Sequence, residues 1–330
     1  MRQVLLRGLV PAGAVLAVAV LLSLVLGAGE VGPARALPVL AGGGDADARF
    51  AVLDLRLPRT VVAVAVGIAL GVAGAVLQTA ARNPLAEPGL LGVSAGASFA
   101  VVLVIASGAS AATLGPWAAV LGAGAGCALA LGAARLRGTG DDPVRLVLAG
   151  AALSGLLGAA TSVVLLLDQR TADEVRFWTV GSVAGRDVAT LGQVGPVLAA
   201  GLLVAVLASR PLSALALGDT VAVGLGHRPA RSRAAAMTAV ALLVGGAVAA
   251  AGPIAFVGLV VPFVARALVG PDLRRVLAVA LVLGPAVVLL ADVASRLLVR
   301  PYEMPLGVVT ALIGAPVLVA VVRSNRLPAL

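Results

Sequence analysis

Residues Arg56 to Ser98 read RLPRTVVAVAVGIALGVAGAVLQTAARNPLAEPGLLGVSAGAS, and the fold turns on this stretch. Two arginines, Arg56 and Arg59, stand at the start of an apolar run of helix length. The run ends at Arg82-Asn83-Pro84, and Leu85-Ala86-Glu87-Pro88-Gly89 then leads into a second apolar run. The spacing predicts a membrane helix, a short polar break and a re-entry. Gly67, Gly71 and Gly74 lie at small-residue spacing, which lets helix backbones approach closely in lipid. Ordinary bundle packing accounts for these glycines without any functional role.

Composition agrees with that reading. The chain of 330 residues is 61% hydrophobic and only 12% charged, against about half and about a quarter in a typical soluble domain. Its mean hydropathy is +1.11. Each helical crossing takes about 20 residues, so the apolar runs allow about ten. The expectation is an all-α integral membrane protein, one domain over residues 1–330. All 24 basic residues are arginine. A P-loop needs its lysine on the phosphates, so a chain with no lysine is not itself a P-loop ATPase. One histidine, His227, and one cysteine, Cys127, cannot build a His/Cys metal site unaided.

In chain order the expected helices are 9–26, 58–80, 88–107, 116–136, 143–167, 189–209, 234–252, 254–269, 276–298 and 306–322. Glu30 to Leu57 reads as a loop, and Arg210 to Arg233 as a half-apolar interfacial segment. If the N-terminus is cytoplasmic, 15 of the 24 arginines fall on inside segments, while ten of the 15 acids fall outside. Arginine bias of this kind sets orientation, and it favours both termini inside.

A weak internal repeat is present. NPLAEPGLL from Asn83 and GPIAFVGLV from Gly252 share Pro84/Pro253, Ala86/Ala255, Gly89/Gly258 and Leu90/Leu259. In the topology above the first copy faces the cytoplasm and the second faces outside, as an inverted-topology repeat requires. The implied halves are helices two to five and seven to ten.

The same stretches carry a resemblance. RLPRT, NPLAEPGLLGVSAGAS, RLVLAG from Arg145, FWTVGS from Phe177, ALGDTVA from Ala216 with GLG from Gly224, GPIAFVGLVVPFVAR, LAD from Leu290, and EMPLGVVTALIGAP from Glu303 occur in this order. Together they resemble the permease subunits of bacterial type II ABC importers for iron–siderophore, haem and cobalamin, from about Arg56 to the C-terminus.

The resemblance implies a pathway between two permease copies, a homodimer or a pair with a paralogue. It also implies two ATPase subunits below, which bind ATP and magnesium, and an extracytoplasmic binding protein above. The permease itself carries no cofactor, catalyses no reaction and sits in the bacterial cytoplasmic membrane. An iron–siderophore chelate is the expected cargo, with haem or cobalamin as alternatives; no nucleic-acid partner is expected. By resemblance, Arg56, Arg59 and Arg296 dock the binding protein. Leu215, Leu217, Gly218, Asp219, Ala222, Leu225 and Gly226, within the 210–233 segment, couple to the ATPase. Asn83, Leu85, Asp142 and Pro143 form the cytoplasmic gate, although the positions of Asp142 and Pro143 carry small hydroxylated residues in some relatives. Local pairing with Asp54, Asp292 or Glu303 is the competing reading of the arginines. A secondary transporter is the competing reading of the whole chain. It would need buried ionisable residues for coupling, for which Asp292 and Arg296 are the main candidates.

Overall fold

The computed structural model describes residues 2–135, 143–175 and 178–323. Fourteen α-helices form among them: α1 Arg2–Val25, α2 Pro33–Leu40, α3 Ala46–Arg49, α4 Leu57–Ala80, α5 Val93–Ala106, α6 Ala111–Arg135, α7 Pro143–Leu167, α8 Gln169–Val175, α9 Ala189–Ala216, α10 Asp219–Gly224, α11 Pro229–Ala251, α12 Val257–Val269, α13 Leu273–Leu297 and α14 Leu306–Arg323. A short π-helical stretch, Phe50–Arg56, leads into α4, and a 3₁₀ turn, Pro88–Leu91, leads into α5. No described residue lies in a strand.

Seven helical spans are long and apolar enough to cross a bilayer, and α5, α12 and α14 are shorter apolar helices. Together they correspond to the ten expected apolar helices, seven of them long enough to span, and the chain is a multi-pass membrane protein. Two boundaries differ from the sequence reading. Helix α9 runs through Arg210 and Pro211 to Ala216, because Leu212 and Leu215 are buried and hold that turn to the bundle. The 30–57 segment is not a loop: α2, α3 and the π stretch fold around Val25, Ala36, Val39, Ala48 and Val52 as a small second core.

Helices α4, α11 and α13 form the centre, with 78%, 72% and 72% of their apolar windows buried; the figure for α7 is 6%. Close backbone contact makes this centre. A Cβ at Gly67 would meet the backbone of Gly284 and Pro285 on α13, and one at Gly74 would overlap the Gly258 carbonyl on α12. A second seam joins α5 and α6, where Gly96 lies against Gly122 and Gly126. Without a hydrophobic drive between helices in lipid, such van der Waals seams supply much of the association.

Candidate functional site

Three places hold the predicted site residues: the bundle interior, the 303 end and the 219 end.

In the interior the two repeat copies meet. The break after α4 is shaped by Asn83, whose Oδ1 accepts the Leu85 N–H at 2.9 Å, while the Asn83 N–H donates to the Gln78 carbonyl at 3.1 Å. Arg82 takes φ 47° to begin the break. Four residues after Asn83, Glu87 Oε1 accepts the Phe256 N–H at 2.6 Å, satisfying an amide at the start of α12. Pro88 lies against Gly258. The copies therefore do not stay at opposite faces, as the linear topology suggests; each loop folds inward to its counterpart. Helices of 14 and 13 residues follow these breaks. At 1.5 Å per residue each is about 20 Å long, short of the roughly 30 Å hydrocarbon core, so a mid-membrane start suits them. Beside the junction is a cavity of about 510 Å³, bordered by Gly89, Ser94, Val180, Pro253, Ala311 and Leu312. The backbones of Gly181 and Gly307 close in on the Pro253 and Val180 carbonyls, and that of Gly252 on the Trp178 carbonyl. Buried Arg266 donates to Gln78 Oε1 and, at 3.4 Å, to Thr79. The sequence reading did not connect Glu87 to Phe256 or Arg266 to Gln78. Spacing carries no signal for either, since the partners lie 169 and 188 residues apart.

Of the four residues expected at the gate, Asn83 and Leu85 occupy this break, and Pro143 opens α7. Asp142 lies outside the described residues.

At the 303 end, Arg56, Arg59 and Arg296 border a cavity of about 830 Å³. Their guanidinium groups are already engaged. Arg56 donates to the carbonyls of Leu24, Val25 and Val31 at 3.1, 2.7 and 2.6 Å. Arg296, 1% exposed, donates to Ser23 and Leu26 carbonyls at 2.8 and 3.1 Å and pairs with Asp292. Arg300 reaches the Gly27 carbonyl at 3.1 Å. The last carbonyls of a helix have no partner within it, and here Arg56 and Arg296 cap those of α1, while Arg300 holds a carbonyl just past its end. Arg59 forks onto Asp292 at 2.7 and 3.0 Å and meets Glu303 at 2.7 Å. Local pairing with Asp292 and Glu303 is thus present. Arg56 and Arg296 lie beneath the surface, so an arriving carboxylate meets neither without rearrangement. Asp292 pairs with both Arg59 and Arg296, while the buried Nε of Arg296 has no hydrogen-bond partner among the described residues. Arg186, which the sequence reading passed over, borders this cavity and a neighbouring one of about 580 Å³. Its Nε donates to the Ser182 carbonyl at 3.3 Å, and burial pushes its pKa down.

At the 219 end, α9 stops at Leu217 and Gly218 turns the chain with φ 112° into α10. Leu215 and Ala222 are buried and anchor the segment, while Leu217, Val221, Val223 and Leu225 stand exposed. Gly226 takes φ 81° to close the turn before α11. Asp219 pairs with Arg233 at 2.9 Å and with Arg82 at 3.5 Å. The second pair ties this segment to the break at Asn83.

Comparison with known proteins accords with this geometry. The model of the FecCD transport family matches residues 15–324. The ferric enterobactin transport system permease protein of Escherichia coli (strain K12) is 44% identical over 310 residues, covering 93% of this chain and 92% of that one. The hemin transport system permease protein of Yersinia pestis is 37% identical over 279 residues, covering 83% of each. A metal-chelate type ABC transporter solved in an inward-facing conformation superposes with a TM-score of 0.77 at 28% identity, covering 97% of this chain and 99% of that one. With ten apolar helices, two inward-folded repeat loops and a family match over nearly its whole length, this chain belongs to the FecCD transport family.

Proposed function

We propose that the chain is the membrane-spanning permease subunit of an ATP-driven importer, passing an iron–siderophore chelate across the bacterial cytoplasmic membrane. The observation that carries this reading is the interior junction. Two broken helices meet beside a cavity whose walls include α14, while Ser154 of α7 reaches the Gly89 carbonyl at 3.5 Å. Helices α7 and α14 expose large apolar side chains, among them Leu156, Leu166, Leu312 and Ile313. A second copy, or a paralogue, packed on that face would close the half-cavity into a pathway. The relatives named for ferric enterobactin and hemin support an iron-chelate cargo, and the higher identity of the first favours a siderophore.

The partners follow from the two ends. The exposed apolar residues of the 217–225 turn suit insertion into a groove on an ATPase subunit, one under each copy, where ATP and magnesium are held. The gate is assigned to Asn83, Leu85, Asp142 and Pro143, and the Arg82–Asp219 pair gives the ATPase contact a direct mechanical link to it. The 303 end receives the extracytoplasmic binding protein. There Arg59 is the arginine best able to exchange its exposed partner, Glu303, for an incoming carboxylate, and Arg56 and Arg296 support it from below. Both termini are cytoplasmic: cysteine at position 182 should label from outside and cysteine at 220 from inside.

The test is reconstitution with the cognate ATPase and binding protein, following uptake of a radio-iron siderophore. Uptake should require ATP and the binding protein. Uptake driven by an ion gradient without ATP would overturn the reading in favour of a secondary transporter.

A further inference from the structure

A cleft of about 570 Å³ lies between α9 and α11, next to the 219 end. Its wall is apolar, formed by Val204, Leu207 and Ala208 of α9 and Ala235 of α11. Leu207 is 68% exposed, so the cleft opens where a bilayer's acyl chains would lie. Its mouth carries Arg228 and Arg231, and no acid is among the described residues that line it. Neither guanidinium has a hydrogen bond or ion pair with a described residue, whereas nearby Arg233 and Arg82 share Asp219.

The placement of these two arginines is electrostatically unusual. Arg228 is the N-cap of α11 and Arg231 lies in its first turn, which holds no acid and has no side-chain cap. A helix N-terminus carries partial positive charge and favours anions. Two uncompensated cations there oppose the dipole and each other. An anion at the mouth would relieve both. The wall decides what kind of anion, because free phosphate has no use for the apolar surface that continues along α9. Basic pockets between transmembrane helices on the cytoplasmic side suit anionic lipid headgroups.

We propose that the α9–α11 cleft is a binding site for an anionic phospholipid, with its phosphate on Arg228 and Arg231 and an acyl chain along Val204, Leu207 and Ala235. The site adjoins the proposed ATPase-contact turn, so its occupant would brace that turn against the membrane. The cytoplasmic leaflet as the lipid's source rests on the orientation proposed above.

The experiment uses the purified full chain in detergent with added phosphatidylglycerol or phosphatidylcholine, and native mass spectrometry counts the lipids retained. Phosphatidylglycerol should be retained in preference. R228Q with R231Q should lower that retention about tenfold or more, given the worth of two arginines at a lipid surface. R274Q with R275Q, which removes the same charge elsewhere, should not. A235F, which fills the apolar wall and leaves both arginines, should also lower retention, and millimolar inorganic phosphate should not displace the lipid.

Equal loss in both arginine pairs would reduce the effect to bulk charge and overturn the site. Displacement by phosphate with A235F silent would make it a phosphate site instead. Loss of a co-purified ATPase from R228Q with R231Q, with lipid unchanged, would make the arginines a protein contact. Retention in detergent has no leaflet, so an inverted topology cannot mimic any of these results; labelling at positions 182 and 220 reads that separately.

Discussion

Asp292 is fully buried between Arg59 and Arg296 and is the most consequential single carboxylate at the 303 end. Removing one partner of a buried ion pair leaves an uncompensated charge, at a cost of about 3–5 kcal/mol. Asp292→Asn strands two guanidinium groups and should lower the thermal unfolding midpoint in detergent sharply. Glu303→Gln acts on a side chain one-third exposed and should cost about 1 kcal/mol or less. Equal shifts for the two would contradict the network. Gly218 is constrained differently: a Cβ there meets nothing within 4 Å, but φ 112° is a backbone region that L side chains rarely adopt. Gly218→Val should therefore cost about 1–3 kcal/mol of local strain and distort the turn. Insertion of the subunit should be normal while ATP hydrolysis no longer drives uptake; normal coupled uptake would remove the turn from the mechanism. At Asp45, Arg35 and the Ala48 N–H hold the carboxyl below its ordinary pKa. A depressed carboxylate contributes stability above its unfolded pKa and loses it as pH falls through the folded one. The α2–α3 corner should loosen only below about pH 4, seen as faster exchange of the Ala48 amide. Asp45→Asn should remove that acid transition.

Among the helices, α4 is the element the others are fitted to. Its glycines face α13 at Gly67 and α12 at Gly74, with no room for a side chain at either contact. Gly13, on α1, has nothing within 4 Å of a built Cβ. Gly74→Val should force α4 and α12 apart and cost about 3 kcal/mol or more, at or beyond the upper end for overpacking. Gly13→Val makes the same chemical change in open space and should express and unfold like the parent. The comparison separates close approach from glycine content as such, and size-exclusion profiles with thermal unfolding would read it. Helix α1 shows the converse dependence. Its C-terminal carbonyls are met by Arg56, just before α4, and Arg296, at the end of α13, and Arg300 holds the Gly27 carbonyl just beyond the helix. A cap built from distant segments forms only when the bundle does.

For the molecule as a whole, the exposed apolar faces of α7 and α14 require a second copy if the half-cavity is to become a pathway. Single cysteines at Leu156 or Leu312, in a Cys127→Ala background, should cross-link two permease copies in membranes. Cysteine at Leu203, exposed on α9 rather than on α7 or α14, should not. Cross-linking through Leu203 alone would move the interface and detach the cavity from it. Internally, the two halves are joined where Glu87 meets Phe256, so movement of one broken helix is felt by the other.

Much of this was legible in the chain alone. Apolar length and arginine placement mark the ten helices, because a bilayer demands about 20 apolar residues per crossing and sorts positive charge by side. The 210–233 stretch was legible as a half-apolar segment at the interface, although α9 extends into it as far as Ala216. Helix-like segments at 33–56 escaped notice because their Gly, Pro and Asp content resembles a loop, and only packing around Val39 and Val52 makes them fold. The partners of the arginines escaped for a similar reason: charge type and sequence position do not say whether a guanidinium faces solvent or a helix end. The sequence by itself determined the class, the crossings and the two repeat motifs, all set by solvent preference over short windows. Only the tertiary structure decided that those motifs touch, that Arg56 and Arg296 cap α1, and that Arg228 and Arg231 meet no acid among the described residues over an apolar cleft. Those are contacts and absences of contact between distant segments, and close packing in three dimensions creates them.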